Sequence, residues 1–70
     1  MKERLFDEFD IYRMSAHSLQ LRCKKTGEIV FIHRNSFNAI DDAVDYRIVS
    51  KTFDRGITTK WIEILVWKAN

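Results

Sequence analysis

The stretch KWIEILVWK, residues 60–68, constrains the fold more than any other part of the chain. Nine residues free of Gly, Pro, Asn and Asp and rich in β-branched and aromatic types read as a strand. Alternation then sets Ile62, Ile64 and Val66 on one side, and Trp61, Glu63, Leu65 and Trp67 on the other. Seventy residues hold material for one hydrophobic core, near the lower limit at which a core is stable without staples. One side of the strand faces that core. The tryptophan side needs an explanation of its own.

The rest of the chain narrows the choices. A single domain over residues 1–70 is expected, with no repeat, no linker and no proline. The single cysteine, Cys23, excludes an intramolecular disulfide and suits a reducing compartment. The start, MKERLFDEFD, is charged throughout, unlike a signal peptide, and no apolar run approaches a membrane span. The expectation is a cytoplasmic protein with no membrane partner. Net charge is +2 overall but segregated: residues 1–12 carry −2, residues 36–46 carry −3, and the remainder carries +7. Acidic charge sits on the segments that read as helices and basic charge on those that read as strands and turns.

Residues 2–14 place Leu5, Phe9 and Tyr12 at helical spacing with Phe6 beside them, which predicts a helix; from Asp10 onward Ile11 and Tyr12 also allow an extended chain. Residues 18–24 alternate Leu19, Leu21 and Cys23 with Gln20, Arg22 and Lys24. KTGE supplies a glycine turn and EIVFIHR a second strand, so the pair reads as a hairpin. The expected register sets Cys23 against Ile29, Leu21 against Phe31 and Leu19 against His33. NSFNAIDDAVDY predicts a helix over 36–46, capped by Asn35 or Ser36, with Phe37, Ile40, Ala43 and Val44 inward. RIVSKTF, a polar turn and the opening strand form a second hairpin.

The predicted class is therefore α+β, in the order α-β-β-α-β-β: a four-stranded sheet of two hairpins packed on helix 36–46. The β-α-β link predicts parallel strands on either side of that helix, which sends the two hairpin turns to opposite ends of the sheet. Lys24, Lys25, Arg47 and Lys68 would then share one end, and Arg34, Ser36, Arg55 and Lys60 the other.

Three readings compete for the tryptophan side, where Trp61, Leu65 and Trp67 would join Val30 and Ile32 inside a rim of Arg22, Lys24 and Arg34. The N-terminal helix covers it in an α/β/α sandwich, or it is a protein or self-association interface, or it stacks nucleic-acid bases. Glu63 counts against the last, since a carboxylate repels phosphate. Arg34, Ser36, Arg55 and Lys60 form a candidate anion site at a helix N-terminus, set against an ordinary capped helix. Asp41, Asp42 and Asp45 form an exposed acidic face that fits a basic protein partner better than nucleic acid. His17, His33 and Cys23 are too few and too dispersed for a metal. No nucleophile–base pair, phosphate loop or carboxylate pair marks an enzyme, and no cofactor is implied.

The function expected from these features is a small non-catalytic module that inhibits or modulates a protein partner by occlusion. It would use Trp61, Leu65, Trp67, Arg22, Arg34, Arg55 and Lys60, with Asp41, Asp42 and Asp45 as a second surface. In outline alone, two hairpins around one helix looks like small phage-encoded inhibitors that bind host factors; no residue is carried across on that likeness. The alternatives are a nucleic-acid-binding module and a homodimer with a structural role.

Overall fold

A computed structural model of the chain describes residues 2–69. Helix α1 (Lys2–Glu8) runs directly into strand β1 (Phe9–Met14), followed by β2 (Ser18–Cys23), β3 (Ile29–His33), the short helix α2 (Arg34–Asn38), a 3-10 turn (Ile40–Asp42), β4 (Ala43–Thr52) and β5 (Thr58–Trp67). The result is a small α+β domain, as its residue pattern predicts. The sheet has five strands rather than four, in the order β1-β2-β3-β5-β4.

Both helices are shorter than helical spacing alone predicts, and in each case strand pairing takes over. After Glu8 the chain pairs with β2, Phe9 opposite Cys23 and Met14 opposite Leu19, with a bulge between Ile11 and Arg13. Phe9, Ile11 and Tyr12 favour strands, and five of the six residues gain a partner on β2, which outweighs their helical spacing. The predicted helix 36–46 stops at Asn38. Ala39 leaves helical geometry (φ −100°, ψ 16°), the 3-10 turn follows, and Ala43 is already extended (φ −79°, ψ 137°). Val44 and Tyr46 then belong to β4, as their β propensity favours.

The topology departs from expectation at one decisive point. β3 lies parallel to β5, with Phe31 opposite Trp61, and β4 is the outer strand, antiparallel to β5. β3 and β4 therefore run in opposite directions, and both hairpin turns fall at the same end of the sheet. Each turn is closed by a glycine with positive φ, Gly27 (75°) and Gly56 (74°), the conformation that glycine adopts without steric cost. Lys24, Lys25, Arg55 and Lys60 share this turn end. Arg34, Ser36 and Lys68 lie at the other.

The β2–β3 register is also one residue from the expected one: Leu19 faces Ile32 and Leu21 faces Val30. A one-residue slip turns every side chain of β3 over, so Val30 and Ile32 join the core, and Phe31 and His33 turn away from it. The buried set is Leu5, Phe9, Leu19, Leu21, Val30, Ile32, Ile40, Ala43 and Ile62, with Cys23, Phe37, Tyr46 and Ile64 packed against it. Leu5 of α1 and Ile40 beyond α2 belong to this same cluster, and Phe6 meets Phe37 edge to face at 6.0 Å. Both helices thus cover one face of the sheet. The N-terminal helix does not form the second outer layer.

Helix α1 is held by one apolar anchor and a polar clasp. Leu5 is fully buried. The Tyr46 hydroxyl donates to Glu8 at 2.7 Å, Arg4 lies over the Tyr46 ring at 5.1 Å, and Lys24 Nζ donates to the Phe6 carbonyl at 2.7 Å. Seven residues are too few for a helix to persist alone, so these contacts decide whether α1 forms. Leu5→Ala is expected to cost about 2–4 kcal/mol in urea unfolding, the usual range for a buried leucine truncation, with loss of helical circular dichroism.

Burial, the hydrogen bond to Glu8 and the charge of that carboxylate push the Tyr46 hydroxyl up to about 12. The folded chain keeps this proton where an unfolded tyrosine, with a pKa of about 10, has released it. Stability from the clasp is then fully present below about pH 10 and is lost as pH rises toward 12. Absorbance titration at 295 nm should show a late tyrosine step that Tyr46→Phe abolishes.

Candidate functional site

With both helices on one face, no element among the described residues covers the other face of the sheet. Gln20 and Arg22 of β2 face Phe31 and Ile29 of β3, and Arg47 and Val49 of β4 face Glu63 and Trp61 of β5. Trp61 is the centre of this surface. From β3, Phe31 stacks at 5.1 Å between ring centroids (26° between planes) and His33 at 4.5 Å (29°). From β4, Lys51 Nζ lies 4.9 Å from the ring centroid, and the indole N–H donates to the Thr59 hydroxyl at 2.8 Å. The pairing dictates the ladder, because residues directly opposite on neighbouring strands share a face. Beside it Arg47 bonds Glu63 at 2.8 Å, so the carboxylate that interrupts the aromatic surface is paired within the sheet.

Trp67 reaches the site by a less regular route. Pairing runs Ala43–Trp67, Asp45–Val66, Tyr46–Ile64, so Val44 on β4 and Leu65 on β5 have no opposite residue. The extra residue Leu65 breaks the simple alternation of KWIEILVWK, and with Val44 it sets Trp67 opposite the buried Ala43. Trp61 and Trp67 nevertheless line one depression of about 310 Å³ beside His33 and Ser36, where β5 runs on past the end of β3. Leu65 and Trp67 are 45% and 43% exposed, far more than a core side chain allows. Val30 and Ile32, expected here, lie in the core instead. Arg22 remains on the open face.

The candidate anion site is not assembled. Arg34 spends its guanidinium on the Ser15 carbonyl at 3.1 Å. Ser36 lies inside α2, whose N-cap residue, His33, makes no side-chain cap bond. Lys60 is paired with Glu28 and lies level with Val30. Arg34 is four residues further along, about 13 Å at the rise of a strand, and Arg55 is beyond Lys60 at the turn end. The acidic set is divided as well. Asp41 and Asp42 are exposed in the 3-10 turn, whereas Asp45, on β4, accepts the Tyr46 N–H at 2.9 Å and lies 3.8 Å from Arg4.

A second concavity, which the sequence pattern did not reveal, opens on the helix-bearing face at the turn end. Phe9, Cys23 and Ile48 line a groove of about 270 Å³ that continues toward Val30 and Lys60. Its apolar character follows from Ile48 facing Ile62 beyond the reach of either helix. The Cys23 thiol is partly exposed. Its pKa is lowered, first by the Thr26 hydroxyl and then by the backbone N–H groups of Thr26 and Lys25.

No protein-family model matches the chain, and no curated protein or solved structure matches it either. Among the described residues no three His, Cys, Asp or Glu side chains gather as metal ligands would, and no helix is long and apolar enough to cross a membrane.

The unequal settings of the two tryptophans are directly measurable. In acrylamide quenching, Trp61→Phe, which leaves Trp67 as the reporter, should give the larger quenching constant, and Trp67→Phe the smaller. The order should persist in a chain lacking residues 2–8, provided that chain still folds, since α1 covers neither ring.

Proposed function

We propose that this chain is a small non-catalytic binding module that engages a protein partner through the open sheet face and acts by occluding the surface it covers. The observation that carries this reading is a tryptophan-centred surface that neither helix covers, because both pack on the other side of the sheet. Trp61 and Trp67 with Phe31 would be the anchors, and Arg22, Arg47 and Lys51 the rim. Aromatic anchors within a basic border are the usual composition of an interaction hot spot. A reducing intracellular setting is part of the proposal, consistent with a free thiol at Cys23.

Nucleic acid is the weaker reading. A base needs an uncovered aromatic plane, and Trp61 is flanked by Phe31 and His33 from one neighbouring strand and by Lys51 from the other. The basic residues of the turn end are also partly paired with acids, Lys60 with Glu28 and Lys24 with Asp10.

The test is affinity capture with the wild-type chain and with Trp67→Ala and Leu65→Glu, beside an Asp54→Asn control at the β4–β5 turn, each checked by circular dichroism. The expected result is one protein held by the wild type and the control and weakened at least about tenfold by either face variant, the loss of about 1.4 kcal/mol typical of an interface anchor. Anisotropy titration with a labelled single-stranded RNA runs in parallel. Tight binding there that weakens steeply with added salt and is lost in Trp67→Ala would replace the protein reading with the nucleic-acid one.

A further inference from the structure

We infer that two copies of this chain join through their β4 strands, antiparallel about a two-fold axis at Ile48, to make one continuous ten-stranded sheet. β4 is the end strand of the sheet and spans ten residues. From Tyr46 to Thr52 it pairs with β5 without irregularity, the register shifts of that pair lying on either side of Asp45, at Val44 and Leu65. Its outer row of backbone N–H and C=O groups pairs with no strand among the described residues, which makes it a template for another strand. The opposite edge, β1, is six residues long and bulged between Ile11 and Arg13, so it is the protected edge.

The side chains of β4 select the second copy as the occupant. In a two-fold antiparallel pairing one residue opposes its own copy, and the others oppose residues equally far along in the other direction. With the axis at Ile48, Asp45 opposes Lys51 of the second copy twice over, Tyr46 opposes Ser50, Arg47 opposes Val49, and Ile48 opposes Ile48. Moving the axis to Arg47 sets two guanidiniums against each other, and moving it to Val49 sets Arg47 against Lys51. Moving it to Tyr46 carries the ladder into the 3-10 turn. Charge and ladder length thus agree on a single register. Ile48 is 45% exposed and the Asp45 side chain 50%; on pairing, Asp45 would exchange its 3.8 Å contact with Arg4, and Lys51 its place over Trp61, for each other.

The axis is perpendicular to the sheet, so the two Trp61 surfaces would lie on the same side and double the area offered to a partner. The dimer itself stands on the β4 edge alone and does not depend on what the tryptophan face binds.

Sedimentation equilibrium of the full chain should give twice the chain mass at micromolar concentrations. Lys51→Asp brings like charges together at both ends of the ladder and should weaken the dimer about tenfold or more, roughly 1.4 kcal/mol. The double swap Asp45→Lys with Lys51→Asp should restore it, which a purely structural role for either residue would not do. In a Cys23→Ala background, Ile48→Cys should cross-link with a short thiol reagent, whereas Ser50→Cys, whose copies would be about 13 Å apart, should not. A chain that stays monomeric to about 100 µM, above the range of stable dimers, overturns the inference. So does a mass that keeps rising with concentration, as head-to-tail pairing of β1 with β4 would give, or a dimer that is insensitive to the charge swap.

Discussion

The short parallel pairing of β3 with β5, Phe31 beside Trp61, governs the rest of the molecule. Because β5 rather than β4 takes the place next to β3, the connection through α2 and the 3-10 turn stays at one end of the sheet instead of crossing it. Both hairpin turns are then forced to the other end, and β4 becomes an edge. The same pairing puts Trp61 between an aromatic pair on β3 and a lysine on β4. A parallel contact this short is weak by itself. It persists because Ile32 and Ile62, on the core face of the same two strands, are buried together under the helices.

A chain of this size covers one face of its sheet and no more. Leu5, Phe37 and Ile40 come from three short segments that could not stand alone, and all of them pack on the same side. Among the described residues no further element forms a third layer. The open face must therefore be compatible with water, and its cross-strand pairs are arranged to that end: Lys51 shields Trp61, Arg47 neutralises Glu63, and His33 borders the aromatic pair. The polar clasp on α1 belongs to the same economy of material, since Tyr46 reaches across from β4 to hold a helix anchored by only one leucine.

The local signals in the sequence carried the fold class, the first hairpin and most of the last strand's inward face: Ile62 and Ile64 lie against the core, whereas Val66, expected beside them, is 49% exposed. They set Leu65 and Trp67 on the second side of that strand but left its cover open, and the structure leaves both exposed. What they could not carry depends on choices between near-equal local alternatives. EIVFIHR is apolar on both sides, so its hydrophobic pattern fits two registers about equally well. The β2–β3 turn, from Lys24 to Glu28, decided for the one that buries Val30 and Ile32. FDIYRM and AVDYR carry helical spacing and strand-favouring residues together, and only the presence of a waiting neighbour strand resolves them. The scattered candidate anion site follows from a single wrong orientation. Taking β3 and β4 as parallel, when β3 is parallel to β5 and β4 antiparallel to it, exchanges the ends at which Arg55 and Lys60 lie.

Pre-ordering is what separates the open face from a merely apolar surface. An interface loses affinity to every side chain that it must freeze on binding. Trp61 is already fixed on both sides by Phe31, His33 and Lys51 and by its bond to Thr59, and Arg47 is fixed by Glu63. Trp67 and Leu65, where the alternation breaks, are the more exposed components and can adapt to the shape they meet. A rigid centre with a compliant flank suits a folded protein surface, where shape is matched once and kept. A flexible strand of nucleic acid would instead need several free aromatic planes in a row, and the packing around Trp61 has used that plane already.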